Sequence, residues 1–470
     1  MNSTLFKKYF GDRRFWGLTG RLALPIAFQN LLMSSFALVD TLMVSRLGDI
    51  PLAAVGMAGQ VNWLMSMLLF GFCSGSSIFI SQYWGIKDIK NINRVFGLLT
   101  SFTLGISAIF FCIARFAPGA VLGMFSDDTT VTSEGMKYLL VACFAYPATA
   151  LTQAFSTLLR STENVKLPMY VTLFATILNA VLNYGLIFGK FGMPEMGVAG
   201  AALATCISAW FSPVAILLIS LLSKNMLRIP IREAFSFNRE LFSEYIRKCT
   251  PVTLNEGMWG LGTLLYNVIF GRLGYEYYAA VTMYRTIEGI SFVFFVGLCN
   301  ACCILVGKSI GAGRIDEAVT NARRFAFIVP LLSLLVGVTV ILLRAPIIGL
   351  FDMSGTISEL TRNAVYGILF VYGAELFFRN IPYIQIVGIF RSGGDIYSGM
   401  RYDILCVWLI SLPLTALSAF VLKLPFVAVF AVMLLAEDSL KALLCIRRFR
   451  SRKWIQPVTD EGRRALANQN

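Results

Sequence analysis

Asp40, Glu256, Glu288 and Glu375 each stand inside a long apolar stretch. An ionisable side chain in a membrane span costs about 2.5 kcal/mol or more, so it faces protein or a water cavity and often carries protons or ions. Asp40 follows Pro25 by fifteen residues, about 22 Å along one helix. A carboxylate there could hold sodium, exchange a proton, or hydrogen-bond a neighbouring helix. Asn179 and Asn183 are four apart and share one helix face, and Thr205 lies in the next apolar stretch. Their oxygens could join Asp40 around sodium, which prefers oxygen ligands, or act as polar contacts between helices. Glu256 lies five residues after Pro251. It can couple to a cation, contact substrate, or pair with Arg285 or Arg379. Arg285 and Glu288 are three apart, and Glu375 and Arg379 four apart. Each couple can therefore close an intrahelical ion pair, or be parted by substrate or a proton. The candidate cation-coupling residues are Asp40, Asn179, Asn183, Thr205, Glu256 and Glu375. The candidate substrate contacts are Gln29, Met33, Asp40, Glu256, Arg285, Glu288, Glu375 and Arg379. Met65 belongs with Gln29 and Met33 as a side chain suited either to a promiscuous cavity or to the core.

The elements that must position these residues are transmembrane helices. The chain of 470 residues is 57% hydrophobic and 14% charged, with a mean hydropathy of +0.71, whereas soluble domains carry about 25% charged residues. Apolar windows of about 20 residues, long enough to span a bilayer, recur along it. They predict helices near 18–45, 52–82, 93–117, 133–160, 166–189, 196–222, 243–271, 277–308, 318–345, 356–390, 399–422 and 424–446. The N-terminal residues lack the apolar segment and small-residue cleavage site of a signal peptide.

The net charge of +14 sits in short loops, with no basic domain to form a nucleic-acid groove. With the N-terminus inside, thirty of the forty lysines and arginines fall on that side and eight outside. The bias predicts cytoplasmic N- and C-termini and an even number of spans. Arg285 and Arg379 are the basic residues assigned to span interiors. The ten cysteines read as small apolar residues. No histidine is present, which removes the commonest general base and metal ligand.

An internal repeat organises the spans. At an offset of 226 positions Pro25 meets Pro251, Arg46-Leu47-Gly48 meets Arg272-Leu273-Gly274, and Ala53-Ala54-Val55 meets Ala279-Ala280-Val281. Gly71, Cys73 and Gly85 meet Gly297, Cys299 and Gly311. Arg160-Ser161 is echoed by Arg391-Ser392 at a slightly larger offset. Glu256 aligns with Asn30, so the repeat does not require a charge there. Six helices per repeat predict an all-α integral membrane protein of about twelve transmembrane helices. They form two six-helix bundles related by pseudo-two-fold symmetry along the membrane normal, an arrangement used for alternating access. The expected division is an N-terminal bundle (1–222), a cytoplasmic linker (223–242), a C-terminal bundle (243–446) and a basic cytoplasmic tail (447–470).

These motifs resemble the multidrug and toxic compound extrusion (MATE) transporters of the multidrug/oligosaccharidyl-lipid/polysaccharide exporter superfamily. The likeness rests on Leu24-Pro25, Asp40-Thr41, Leu47-Gly48, Ala53-Ala54-Val55-Gly56, Ser81-Gln82 before Gly85, Leu159-Arg160-Ser161-Thr162 and Gly197-Val198-Ala199-Gly200-Ala201-Ala202, with partial echoes in the second half. It covers about residues 18–450. The resemblance implies export of organic, often cationic, compounds in exchange for sodium or protons, with Asp40 as a coupling carboxylate. It places Asn179 and Thr205 near Asp40, and it matches Glu256 and Glu375 to acidic residues of helices seven and ten. Asn183 stands where some relatives carry a carboxylate.

The expectation is an antiporter of cationic or zwitterionic compounds in a bacterial inner membrane, working as a monomer. Its partners would be a small organic substrate and membrane lipid, with no nucleic acid. No cofactor is expected beyond the coupling ion, and Asp40 is the candidate sodium ligand. A flippase for a lipid-linked sugar and a narrow-cargo metabolite exporter are the alternatives. A flippase would favour several cavity arginines, whereas four acids and two arginines favour cations or zwitterions. No carboxylate–histidine cluster supports an enzyme, and Gly307–Gly313 lacks the spacing of a phosphate-binding loop.

Overall fold

The computed structural model describes residues 10–124, 128–222, 231–234, 236–351 and 358–468. Among them the chain is all-α. Twelve long helices follow one another: α1 (Arg13–Ser45), α2 (Asp49–Gly85), α3 (Ile89–Phe116), α4 (Thr129–Ser161), α5 (Lys166–Phe188), α6 (Gly197–Leu222), α7 (Arg239–Leu273), α8 (Tyr275–Gly311), α9 (Ile315–Phe351), α10 (Glu359–Gly393), α11 (Ile396–Val421) and α12 (Phe426–Arg450). Ten are long and apolar enough to cross a membrane by length and composition. The other two, α7 and α12, carry the charged and polar side chains that build one of the sites below. Of the expected linker, 223–230 and 235 lie outside the described residues, as do Lys7 and Lys8 of the charge count.

Prolines shape several helices without ending them. Pro25 and Pro251 lie inside α1 and α7. Pro382 lies in α10, and the turns just after it, Ile384–Phe390, widen to π-helical geometry. Proline removes one backbone hydrogen bond and crowds the preceding turn, and widened turns are a common accommodation. In α11 the turns at Ile404–Ser411 are likewise widened, directly after Asp403.

The described chain divides into two compact units. One comprises Phe28–Ile80 with Lys87–Thr253. Its core joins Val61, Met65 and Leu69 of α2, Tyr138 and Leu139 of α4, Ile187 of α5, and Ala201 and Ala202 of α6. Met65 is fully buried; it is a core side chain, and the cavity reading fails for it. Gly200 lets α6 approach α5 so closely that a Cβ would overlap the Leu186 carbonyl.

The other unit comprises Met1–Ala27, Ser81–Ile86 and Leu254–Asn470. Within it α9 and α10 meet at Gly337 and Gly373, and a Cβ on Gly337 would overlap the carbonyl of Gly373. Small residues give such close approach where lipid supplies no hydrophobic drive between helices. The residues after α12 fold back onto this unit. Trp454 is fully buried, and Ile455, Val458 and Thr459 are buried beside it. Gln456 N–H donates to the Gly393 carbonyl at 2.7 Å, and Thr459 Oγ1 to the Gly311 carbonyl at 2.8 Å. Gln82 accepts from Val458 N–H at 2.8 Å and donates to the Ser392 carbonyl at 2.9 Å. A short helix, Asp460–Ala467, closes the described chain.

Candidate functional site

In the unit built from Phe28–Ile80 and Lys87–Thr253, four expected residues come together. Asn183 on α5 donates one amide hydrogen to Asp40 Oδ1 on α1 at 2.7 Å and the other to Asn179 Oδ1 at 2.8 Å. Asn179 in turn donates to Ser208 Oγ on α6 at 3.2 Å. Both asparagines are essentially inaccessible, and their four-residue spacing puts them on one face, one turn apart. The carbonyl oxygen of Asn183 and the hydroxyl of Thr205 have no hydrogen-bond partner among the described residues. Tyr138 from α4 reaches toward Thr205 and Asp40. No basic side chain pairs with Asp40 among the described residues. The result is a carboxylate surrounded by neutral oxygens and amides, a set that can hold a proton or a cation with oxygen ligands.

The second unit gathers the remaining charges, with partners that the sequence does not indicate. Glu256 on α7 pairs with Arg391 at the end of α10 at 2.5 Å, not with Arg285 or Arg379. Glu288 on α8 pairs across helices with Arg379 on α10 at 2.5 Å. The intrahelical pairs expected for Arg285–Glu288 and Glu375–Arg379 are not among the ion pairs of the described residues. Arg379 also donates to Tyr284 at 3.4 Å and lies 5.4 Å from the centre of the Phe292 ring. This capture leaves Arg285 half-buried and Glu375 buried, the latter with both carboxyl oxygens lacking a hydrogen-bond donor.

Next to Glu375 lies a cluster absent from the sequence reading. Lys441 on α12 is 3.0 Å from Glu437, 3.3 Å from Asp403 of α11 and 3.5 Å from Asp438. Asn255, the neighbour of Glu256, donates to the second oxygen of Asp403 at 2.9 Å. The signal available was Glu437-Asp438 with Lys441 one turn later inside a predicted span. Counting Lys441 with the inner loop and placing Arg391 just past the end of helix ten concealed both. With them, the ion pairs inside the second unit join Glu256 to Arg391, Glu288 to Arg379, and Asp403, Glu437 and Asp438 to Lys441. The expected count of four acids and two arginines in the spans thus misses Asp403, Glu437 and Asp438 among the acids and Arg391 and Lys441 among the bases.

Gln29 and Met33 part company. Gln29 is buried and donates to Thr172 of α5 at 2.9 Å, which makes it a helix–helix contact. Met33 is 52% exposed.

The comparisons with known proteins agree with this architecture. A probable multidrug resistance protein, NorM of Thermotoga maritima, is 25% identical over 465 residues, covering 97% of each chain. An uncharacterized transporter, YisQ of Bacillus subtilis, is 25% identical over 93% of this chain and 94% of its own. The fold is shared with the crystal structure of the Vibrio cholerae MATE transporter VcmN in the bent form, at a TM-score of 0.83 and 18% identity over 95% of this chain and 100% of that one. It is shared equally with a superfamily transporter from Pyrococcus furiosus, at a TM-score of 0.82 and 19% identity over 100% of both chains. The MatE family pattern matches residues 25–185 and 251–417, the two halves that the internal repeat relates, so the chain belongs to the MatE family and is a multi-pass membrane transporter.

Proposed function

We propose that this transporter is an antiporter that exports organic cationic or zwitterionic compounds, multidrug in range, at the expense of a proton or sodium gradient. One observation carries this reading. Asp40 is a half-buried carboxylate held by the amide of Asn183, with no basic partner among the described residues, whereas Glu256 and Glu288 are each neutralised by an arginine. A lone carboxylate withdrawn from water is stabilised by a proton or a cation. Loading and unloading of that charge biases a two-state carrier only if the two states bind it differently. Around Lys441, three carboxyls, Asp403, Glu437 and Asp438, meet one ammonium, and this local excess of acid favours cargo with positive charge. The names of the relatives, multidrug resistance proteins among them, support a broad substrate range. The charge bias of the loops supports cytoplasmic termini, and the reading takes the membrane to be a bacterial inner membrane and the working unit to be a monomer.

The test uses purified protein in liposomes loaded with ethidium, under an imposed pH gradient, a sodium gradient, or neither. Wild type is expected to move dye only with a gradient, and Asp40→Asn to lose at least ten-fold of that rate. Efflux indifferent to both gradients and to Asp40→Asn would overturn the reading.

A further inference from the structure

Arg285 is a charge that its own unit leaves without a counter-charge. Arg379 lies 2.5 Å from Glu288, Arg391 2.5 Å from Glu256 and Lys441 3.0 Å from Glu437. Arg285, on α8, joins no ion pair among the described residues, and its buried Nε finds no hydrogen-bond acceptor there. Glu288, three residues further along the same helix, is held by Arg379. A guanidinium does not lose its proton in a protein. Arg285 therefore stays charged, and a charge withdrawn from water is costly until an opposite one meets it.

Arg285 stands at the edge of an uncovered, polar face of α8. Thr282 lies one turn before it, Thr286 beside it and Gly289 one turn after, and all three are exposed. Nothing stands within 4 Å of a Cβ position at Gly289. The hydroxyls of Thr282 and Thr286 donate to the carbonyls of Tyr278 and Thr282 at 3.0 and 3.2 Å, which leaves their lone pairs able to accept. The exposed apolar side chains of this stretch, Ile290 and Phe294, lie further round the helix. Acyl chains suit those two, but a guanidinium inside a span faces protein or water. Depth narrows the choice of anion. Tyr275, Tyr277 and Tyr278 open α8, as the aromatic belt of a membrane interface does. Arg285 follows them by seven to ten residues, about 10–15 Å into a hydrocarbon core of about 30 Å. A lipid phosphate stays at headgroup level, so the anion that meets Arg285 at this depth is carried by a solute crossing the membrane.

We propose that Arg285 recognises an acidic group on the cargo, its guanidinium taking a carboxylate in the two-pronged contact that arginine makes with planar oxyanions. The opening at Gly289 leaves room for that group beside the α8 backbone, and the hydroxyls of Thr282 and Thr286 accept from donors on the same compound. Among organic cations the transporter thus prefers those that also carry a carboxylate. The consequence for transport rests on the antiporter reading and narrows its cargo; the recognition itself needs no gradient.

The probes are rhodamine B, which carries a carboxylate beside its delocalised cation, and its ethyl ester, which keeps the cation alone. The fluorescence anisotropy of each dye is titrated with purified protein in detergent at neutral pH. Wild type should bind the acid about ten-fold more tightly than the ester, the size expected of a charge-assisted contact. Arg285→Gln should abolish that preference, and Arg285→Lys, which keeps the charge without the fork, should retain part of it. Because Arg285→Gln removes an unpaired charge, its thermal midpoint should equal or exceed that of wild type. A sharply lower midpoint would mean that Arg285 holds the fold together, and would overturn the proposal. So would a wild type that binds both dyes equally or neither, or a preference that survives in Arg285→Gln. Phosphatidylglycerol retained through purification by wild type but not by Arg285→Gln, with equal dye binding in the two, would assign the anion to a lipid headgroup and overturn it as well. Efflux indifferent to both ion gradients would sink the antiporter reading yet leave an Arg285-dependent preference standing, so the two fail separately.

Discussion

Arg391 and Glu256 illustrate how much a single residue can weigh in a low-dielectric interior. Their side chains are 5% and 13% exposed, and the guanidinium lies 2.5 Å from the carboxylate. Removing one member of a buried pair leaves an uncompensated charge and costs about 3–5 kcal/mol, whereas replacing both with apolar or neutral groups is often close to neutral. Arg391→Met alone should therefore lower the thermal midpoint in detergent sharply. Glu256→Gln combined with Arg391→Met should recover most of the loss. A double variant as unstable as the single would show that Arg391 acts through something other than Glu256. Asp40 behaves differently, because its neighbours are neutral. Asp40→Asn replaces a carboxylate by an isosteric amide, so it should leave the fold intact and remove only gradient-driven transport. A midpoint within a degree or two of wild type, together with lost efflux, would separate coupling from stability.

At the scale of elements, the helices are held by close backbone approach more than by charge. The Gly337–Gly373 contact sets α9 against α10, the helix that carries Glu375, Arg379 and Arg391. Gly373→Val must push the two helices apart, since its side chain would enter the space of Gly337 and Ile341. The expected outcome is loss of folded protein on size exclusion, with Gly105→Ala as the control. Gly105 lies in α3 with nothing within 4 Å of a Cβ position, and alanine is favoured over glycine in a helix by up to about 1 kcal/mol. A well-folded Gly373→Val would mean that the helices tolerate a wider spacing than the geometry implies. The widened turns Ile384–Phe390 matter for the same site. They lie between Arg379 and Arg391 and rotate the end of α10 relative to a regular helix, so that one helix supplies guanidinium groups to carboxylates on both α8 and α7.

At the scale of the molecule, the segment after α12 completes one unit of the fold. Trp454 is the largest fully buried side chain, and its neighbours bond to Gly393, Gly311 and Gln82. Replacing a buried tryptophan by alanine costs about 3–5 kcal/mol. Trp454→Ala should accordingly destabilise the protein in detergent far more than substitution of the exposed Arg452. Equal effects would mean that the segment is a detachable tail.

Much of this was legible in the sequence for a physical reason. Lipid tolerates only helices whose backbone bonds are internally satisfied, so twelve apolar stretches predict twelve helices and the glycines and prolines mark their repeat. The same medium makes every ionisable residue costly, so Asp40, Glu256, Glu288 and Glu375 stood out, and the spacing of Asn179 and Asn183 put both on one helix face, which the fold brings to Asp40. Which charge meets which was not legible. Arg379 is one turn from Glu375 yet bonds Glu288, and Glu256 bonds Arg391, far along the chain on α10. Spacing along one helix lists the partners within a turn, whereas helix packing, set by glycine contacts and widened turns, decides which neighbour a long side chain reaches. The backbone's need for hydrogen bonds is met within each helix and so is written locally; the pairing of buried charges is met between helices, and only the tertiary structure decides it.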